Sequence, residues 1–207
     1  MNDVFGFFLT EKIRQGFIMQ KPIVVGITGA SGSIFGIRLL ETLKILEIET
    51  HLIASEWAIR NLELEMDYPL ARLQELATRV YDNRDLTAPV ASGSFRAEGM
   101  VVAPCSMKTL AGIANGYSEN LLERAADVTL KEGRKLVLVP RETPLSSIHL
   151  ENMLKLARIG VIIAPPMPAF YMKPANIMDL VDHHVGRLID QFGIENQLAK
   201  RWGENHP

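Results

Sequence analysis

Short apolar runs alternate with longer segments of helical periodicity along this chain of 207 residues. The apolar runs predict β-strands over residues 22–27, 50–54, 100–103, 135–139 and 160–164. Apolar residues recurring every three or four positions predict helices over residues 34–46, 56–65, 109–115, 121–131, 145–159 and 177–192, while residues 68–99 are less regular. Four of the strand runs are apolar on both faces, as in a parallel sheet that helices cover on both sides. The pattern predicts a single α/β domain with a doubly wound parallel sheet of the Rossmann or flavodoxin-like type.

Polar and glycine-rich turns follow four of these apolar runs. They lie at residues 28–33, 104–109, 140–144 and 165–171. The carboxyl ends of parallel strands share one edge of the sheet, and ligands bind in the crevice at that edge. We therefore expect four segments that are distant in the sequence to meet along one rim and to form a single site.

Composition narrows the class of protein. The net charge is −2 and no basic cluster is present, so binding to nucleic acid or to an anionic membrane is not expected. No apolar run is long enough to span a bilayer. A single cysteine excludes an internal disulfide and suits a reducing compartment, which favours a cytoplasmic location.

Residues 1–20, with Asp3 where a signal peptide carries positive charge, are interpreted as an N-terminal extension of a domain at 21–207.

Two turns carry residues suited to anion binding and proton transfer. Gly29, Ser31 and Gly32 precede a predicted helix, which suits either a phosphate cradle or a tight capped turn, and the residues alone leave both open. Arg141 and Glu142 are adjacent between two prolines. Arginine can hold an anion through two hydrogen bonds, and glutamate can transfer a proton. Because the prolines fix this charged turn, it favours a functional role over an exposed ion pair.

The remaining polar side chains have structural interpretations when the residues are considered alone. Cys105 is interpreted as a small packed residue, since no histidine is close enough in the sequence to activate it. Ser106 and Thr109 suit helix capping or phosphate donation. The five histidines lack metal-ligand spacing, and His183 and His184 are expected on a helix surface. By default, exposure is expected for Arg124, Lys131 and Arg187, and packing for Tyr171 and Trp202.

Taken together, the motifs resemble those of a known family. From about Lys21 onward the chain resembles the UbiX-type flavin prenyltransferases, within the homo-oligomeric flavin-containing decarboxylase-like group. The matching segments are Gly-Ile-Thr-Gly-Ala-Ser-Gly at 26–32, Ala-Ser-Gly-Ser at 91–94, Pro-Cys-Ser-Met-Lys-Thr-Leu at 104–110, Glu-Arg-Ala-Ala-Asp-Val at 123–128, Leu-Val-Pro-Arg-Glu-Thr-Pro at 138–144, His-Leu-Glu-Asn-Met at 149–153 and Pro-Ala-Phe-Tyr at 168–171. Their order and near-complete coverage of the chain make the set specific.

The resemblance implies a fold, a reaction and partners. It implies that reduced FMN and dimethylallyl monophosphate bind without a metal, and that the prenyl group is transferred to N5 and then C6 of the flavin. The product, prenylated FMN, would pass to a UbiD-type decarboxylase in quinone synthesis or aromatic acid breakdown. The assembly implied is a large homo-oligomer, a dodecamer, with sites near subunit contacts.

Site residues are also implied by the resemblance, position by position. The FMN contacts would be Gly29, Ala30, Ser31, Ser55, Ser92, Ser106, Met107, Lys108, Thr109 and Arg141. The prenyl phosphate would contact Tyr171 and Arg187, with Arg124 and Lys131 as further ligands. Glu142 would be the acid/base residue, with Ser31 and Trp202 also assigned to catalysis. The chain departs from the family at Leu86, where some relatives have an aromatic residue, and at Gly133, where a basic residue is common.

Two alternatives remain open on the sequence alone. The first is a flavin-dependent decarboxylase of a cysteinyl-type substrate, from the same structural group. Such families use a histidine near the first helix, and residues 34–38 contain none. The second is a carrier that binds FMN and releases it unchanged.

Overall fold

A computed structural model describes residues 21–199 and 201–203 of the chain. The predicted N-terminal extension, residues 1–20, lies outside the described residues. The strands are β1 (Ile23–Ile27), β2 (Thr50–Ala54), β3 (Arg79–Asp82), β4 (Gly99–Cys105), β5 (Lys135–Pro140) and β6 (Ile162–Ile163). The helices are α1 (Ser33–Ile45), α2 (Glu56–Met66), α3 (Leu70–Gln74), α4 (Met107–Ala114), α5 (Leu121–Lys131), α6 (Ser147–Arg158) and α7 (Ile177–Asp190), with 3₁₀ turns at Pro89–Ala91 and Phe170–Met172.

One parallel sheet of six strands organises this part of the chain, in the order β3-β2-β1-β4-β5-β6. This is the Rossmann strand order, and it confirms the predicted doubly wound α/β fold. The order reverses between β1 and β4, so the connections that leave these two strands diverge. A crevice therefore opens at their carboxyl ends, where residues 28–33 and residues 106–109 follow β1 and β4.

Two hydrophobic cores cover the two faces of the sheet. Successive strand residues point to opposite faces, so Val25 joins one core and Val24 the other. The first core includes buried residues of α1, α2, α3 and α7, and the second includes residues of α4, α5 and α6. Arg38 of α1 forms an ion pair with Asp182 of α7, with Nε–Oδ1 2.5 Å, which joins these helices on one face.

The predicted elements match the observed ones closely, with β2 and α5 identical in extent. The irregular segment 68–99 contains α3 and β3, which the apolar pattern did not predict. β3 is an edge strand of sequence Arg79-Val80-Tyr81-Asp82 and is largely exposed, so it has no buried apolar face to mark it. β6 is the opposite edge strand and is only half-buried, unlike the fully covered strands β1 and β4. None of the described helices combines the length and the apolar character needed to cross a bilayer.

Candidate active site

A cavity of about 440 Å³ opens at the carboxyl edge of the sheet, beside the point where the strand order reverses. A volume of this size is within the range of small-molecule sites. It is lined by Thr28, Gly29, Ser55, Glu56, Trp57, Asn83, Ser106, Lys108, Thr109, Asn120 and Leu122. The lining therefore combines the ends of β1, β2, β3 and β4, and it includes five of the predicted FMN contacts.

Three helices begin at this cavity, each with a polar cap. Ser55 Oγ accepts a hydrogen bond from Ala58 N at the start of α2 (3.1 Å), and Ser106 Oγ accepts one from Thr109 N at the start of α4 (3.3 Å). Asn120 caps α5 in the same way. The positive ends of three helix dipoles therefore lie close to one another, with serine and threonine hydroxyls beside them. Such an arrangement stabilises a bound phosphate or another anion.

Thr28 holds the two strand ends together beneath the cavity. Its buried hydroxyl donates to Pro104 O (2.9 Å) and accepts from Ser106 N (2.7 Å). These bonds join the end of β1 to the end of β4 and fix the direction in which α4 begins. The position of the Ser106 hydroxyl at the cavity therefore depends on a side chain that is itself almost fully buried.

The loop at residues 29–33 approaches its neighbours closely. A Cβ on Gly29 would lie 2.4 Å from Trp57 Cβ, so only glycine permits this contact with α2. Gly32 has φ 102°, a left-handed conformation that favours glycine. The Glu65 carboxylate of α2 accepts hydrogen bonds from Gly32 N (3.0 Å) and Ser33 N (3.3 Å). A carboxylate thus occupies the N-terminus of α1, where the positive end of the helix dipole stabilises negative charge.

Arg141 connects the tip of β5 to this loop. Its Nε donates to Ser31 O over 3.2 Å, across 110 residues of sequence. The next residue, Glu142, is exposed, and its Oε1 accepts from Thr143 N (3.1 Å). The structure therefore brings together the 29–33 loop and the charged turn, as the sequence predicted.

A second group of predicted residues lies along α5. Arg124 Nε donates to Ala91 O (3.2 Å), and its Nη1 pairs with Asp127 (2.7 Å). Ser92 pairs its hydroxyl with that of Ser94 (2.8 Å). Lys131 is the last residue of α5, nine residues beyond the cavity-lining Leu122, and the helix rise places it about 13 Å along the axis from that end. Within one chain, Lys131 is therefore distant from the cavity that Ser55 and Ser106 line.

A third group surrounds Tyr171. Its ring packs edge-on against Trp202, with centroids 5.3 Å apart, and against His183, with centroids 5.7 Å apart. Arg187 lies one turn beyond His183 on α7 and pairs with Asp190 (Nη1–Oδ2 2.9 Å). The expectation that His183 and His184 lie on a helix surface is wrong, because both are buried between α7 and its neighbours, the second against Phe35.

Sequence reasoning missed Glu65, His183 and Trp57 as neighbours of the predicted residues. Glu65 ends the predicted helix 56–65, and its position gave no sign that its carboxylate would reach a glycine 33 residues earlier. The one signal in the sequence was the glycine at the N-cap of α1. Glycine has no side chain to accept hydrogen bonds from the first N–H groups of the helix, so an acceptor from another part of the chain was to be expected.

Cys105 is fully buried at the end of β4, which agrees with its interpretation as a packed residue. Burial raises the pKa of the Cys105 thiol well above its usual range, so the thiolate that a nucleophile requires is disfavoured. Among residues 21–199 and 201–203, no three His, Cys, Asp or Glu side chains are grouped to hold a metal ion.

Comparison with known proteins shows the family. A family model described as Flavoprotein matches residues 13–189. The flavin prenyltransferase LpdB of Lactiplantibacillus plantarum is 57% identical over 184 residues, covering 88% of this chain and 98% of that protein. A mitochondrial flavin prenyltransferase of Saccharomyces cerevisiae is 55% identical over 202 residues, covering 94% of this chain and 84% of that protein.

Solved structures are also similar. AnUbiX in complex with FMN and dimethylallyl pyrophosphate matches with a TM-score of 0.88 and 50% identity, over 90% of this chain and 100% of that chain. A dodecameric FMN-dependent UbiX-like decarboxylase of Escherichia coli O157:H7 matches with a TM-score of 0.85 and 54% identity, over 87% of this chain and 98% of that chain. The peptidyl-cysteine decarboxylase EpiD, at 19% identity and a TM-score of 0.56, shares the fold alone.

The strand order and the cavity at its reversal define a nucleotide-binding type of α/β protein, with an anion site built from helix N-termini. The chain belongs to the Flavoprotein family and, within it, to the UbiX-like flavin prenyltransferases. The resemblance predicted from the motifs is therefore confirmed.

Proposed function

We propose that this chain transfers a dimethylallyl group from dimethylallyl monophosphate to N5 and C6 of reduced FMN, and that a UbiD-type decarboxylase receives the product. The observation that carries the proposal is the cavity at the strand reversal, where the N-termini of α2, α4 and α5 meet in a chain of this family. Reduced FMN supplies the nucleophilic ring atoms when it binds, and the steps below concern the residues of the chain.

The cavity fits the phosphate of FMN. Ser55, Ser106 and Thr109 present hydroxyls there, and Lys108 adds a positive charge at the start of α4. The N–H groups at the beginnings of α2 and α4 complete a set of donors for a phosphate dianion. Met107, between Ser106 and Lys108, packs against the second core and holds this turn in place. These residues would anchor the phosphate end of the flavin.

The flavin ring would lie towards the 29–33 loop and the tip of β5. Gly29 and the buried Ala30 keep this side of the loop small, and Arg141 is held against Ser31 O. An arginine in this position can donate to a flavin carbonyl or support its negative charge. This placement supports the proposed roles of Ser31 and Arg141 as FMN contacts.

The departing phosphate requires fixed donors, because charge develops on it as the prenyl bond breaks. Tyr171 packs against Trp202, whose π face suits the developing allylic cation. Arg187 lies one turn along α7 from His183, the residue that contacts Tyr171. Glu142 is exposed directly beside Arg141, which supports its role as the carboxylate that would exchange protons with the phosphate and with C6. Metal independence remains a prediction.

Arg124 and Lys131 would act on a neighbouring copy of the chain. Lys131 lies at the far end of α5 from the cavity of its own chain, about 13 Å along the helix from Leu122. The relative from Escherichia coli O157:H7 is dodecameric. A homo-oligomer of the same kind would bring the cationic end of α5, together with Ser92, to the cavity of an adjacent chain.

A cytoplasmic location is proposed on the basis of the single, buried cysteine.

The mass of the flavin product tests the function. The purified protein is incubated anaerobically with reduced FMN and either dimethylallyl monophosphate or the pyrophosphate, with and without a chelator, and the released flavin is analysed by mass spectrometry. We expect a flavin heavier by one five-carbon unit, with the monophosphate as the better donor and no effect of the chelator.

Two controls make the result specific. Omission of the donor must leave the flavin mass unchanged, and Arg141→Ala must reduce the yield. Unmodified FMN from the wild-type protein with both donors would refute the proposal and would favour a carrier that releases FMN unchanged.

A further inference from the structure

His183 lies where it can control the hydroxyl of Tyr171. It is only 6% exposed on α7, and its Nε2 is 3.2 Å from Tyr171 Oη. The two rings meet edge-on, with an interplanar angle of 84°. Tyr171 itself is 46% exposed, so part of its side chain is open to a ligand while its partner is buried.

The surroundings of His183 indicate which ring nitrogen carries the proton. Nδ1 is buried and has no hydrogen-bond partner among the described residues. A buried N–H without an acceptor is rarer and more costly than a buried acceptor without a donor. The hydrogen is therefore favoured on Nε2, which then donates to Tyr171 Oη. In this arrangement the phenolic hydrogen of Tyr171 is left to donate elsewhere.

The charge state of His183 supports this arrangement. Burial, followed by the positive charge of Arg187, lowers the pKa of His183, while Asp190 opposes the shift. The imidazole is therefore neutral near pH 7 and donates through a single N–H. Arg187 lies four residues along α7 from His183, on the same face of the helix.

We infer that His183 is a positioning residue that fixes the rotation of the Tyr171 hydroxyl, so that its hydrogen points to the phosphate of the prenyl donor alongside Arg187. This inference rests on the proposed function of Tyr171 as a phosphate contact. A hydroxyl that accepts one hydrogen bond becomes a stronger donor in the next, so His183 also strengthens the bond that Tyr171 makes to phosphate. His183 does not touch the substrate and acts only through Tyr171.

A double-mutant cycle separates this role from packing. His183→Phe keeps a ring against Tyr171 and removes the hydrogen bond, and Tyr171→Phe removes the hydroxyl. His183→Gln restores an N–H donor close to the position of Nε2. His184→Leu is the matched control, because it changes a buried histidine on the same helix that contacts Phe35 instead of Tyr171.

Two measurements are made on each FMN-loaded variant. One is the rate of flavin prenylation, and the other is the binding of dimethylallyl monophosphate to the oxidised, non-reacting protein by calorimetry. We expect His183→Phe to lower both kcat/KM and donor affinity about fivefold, which is the loss of about one hydrogen bond. His183→Gln should recover most of the lost rate and donor affinity. In the Tyr171→Phe background, adding His183→Phe should have no further effect. FMN affinity should stay unchanged.

Additive effects of the two substitutions, no rescue by Gln, or an equal loss in His184→Leu would each overturn the inference. Failure of the proposed function has a different signature, since the wild-type protein would then leave FMN unmodified. In that case a coupled effect of His183 and Tyr171 on donor binding would still support the positioning role, and an uncoupled effect would refute it.

Discussion

Acidification is expected to destabilise the fold through His184. This side chain is buried against the edge of Phe35, and its Nε2 has no hydrogen-bond partner among the described residues. Burial, followed by the neighbouring His183, lowers the pKa of His184 from 6.5 to about 4. Between these values the unfolded chain binds the proton and the folded chain does not, so stability rises with pH. The contribution of the neutral His184 ring to the free energy of unfolding is fully present above about pH 6.5 and is lost as the pH falls towards 4.

The magnitude follows from the size of the pKa shift. One pKa unit corresponds to about 1.4 kcal/mol, so full titration of His184 costs the folded state about 3 kcal/mol. At pH 5 the loss attributable to this group is about 2 kcal/mol. That is a large part of the stability of an ordinary domain, which makes the effect measurable.

Urea unfolding followed by circular dichroism measures the effect. His184→Leu removes the titrating group and keeps an apolar side chain of similar size. The wild type and the variant are compared at pH 7 and pH 5, at one protein concentration and without added FMN, because a bound ligand would shift the midpoints. From pH 7 to pH 5, the free energy of unfolding of the wild type should fall by about 2 kcal/mol more than that of the variant. Equal losses in the two proteins would refute the role of His184.

Three further predictions concern the candidate site. Glu142→Gln should slow flavin prenylation about a hundredfold while leaving FMN affinity intact, as measured by equilibrium titration, because it removes a proton-transfer group only; a parallel loss of FMN binding would contradict this role. Arg141→Ala and Ser31→Ala should weaken FMN binding, the first about tenfold, and an unchanged dissociation constant would remove both from the FMN site. Gly32→Ala should destabilise the fold by about 1 kcal/mol in urea unfolding, because φ is 102° at this position; an unchanged midpoint would show that the turn relaxes.

The fold was predictable because buried strands and amphipathic helices dominate the sequence pattern. β1 and β4 are covered on both faces and are apolar throughout, so their positions were evident. β3 is exposed at the edge of the sheet and carries Arg79 and Asp82, so local polarity concealed it. The contacts that define β3 come from its pairing with β2, which is a tertiary property.

The candidate site was only partly predictable from the sequence, because several of its contacts depend on how separate elements pack together. The turns after the strands were recognisable because strand ends in a parallel sheet share one edge, and Arg141 does reach the 29–33 loop. The contact of His183 with Tyr171 depends on how the 3₁₀ turn at Phe170–Met172 packs against α7, and the contact of Glu65 with Gly32 depends on how α2 packs. The length of α5 was predictable, but the position of its first turn at the cavity, which leaves Lys131 at the far end, is a tertiary property.

In the proposed assembly, the cavity of one chain and the α5 end of another form each site. Mixing two impaired variants tests it directly, at an FMN concentration too low to saturate the Arg141→Ala cavity. Arg141→Ala impairs the cavity side and Lys131→Ala impairs the α5 side, and the two variants are co-expressed in equal amounts and purified as mixed oligomers. If each site takes these residues from different chains, random mixing restores roughly a quarter of the sites, and prenylated FMN should appear at about that fraction of the wild-type rate. Mixed oligomers no more active than either variant alone would contradict the claim, because every site would then contain one of the two defects.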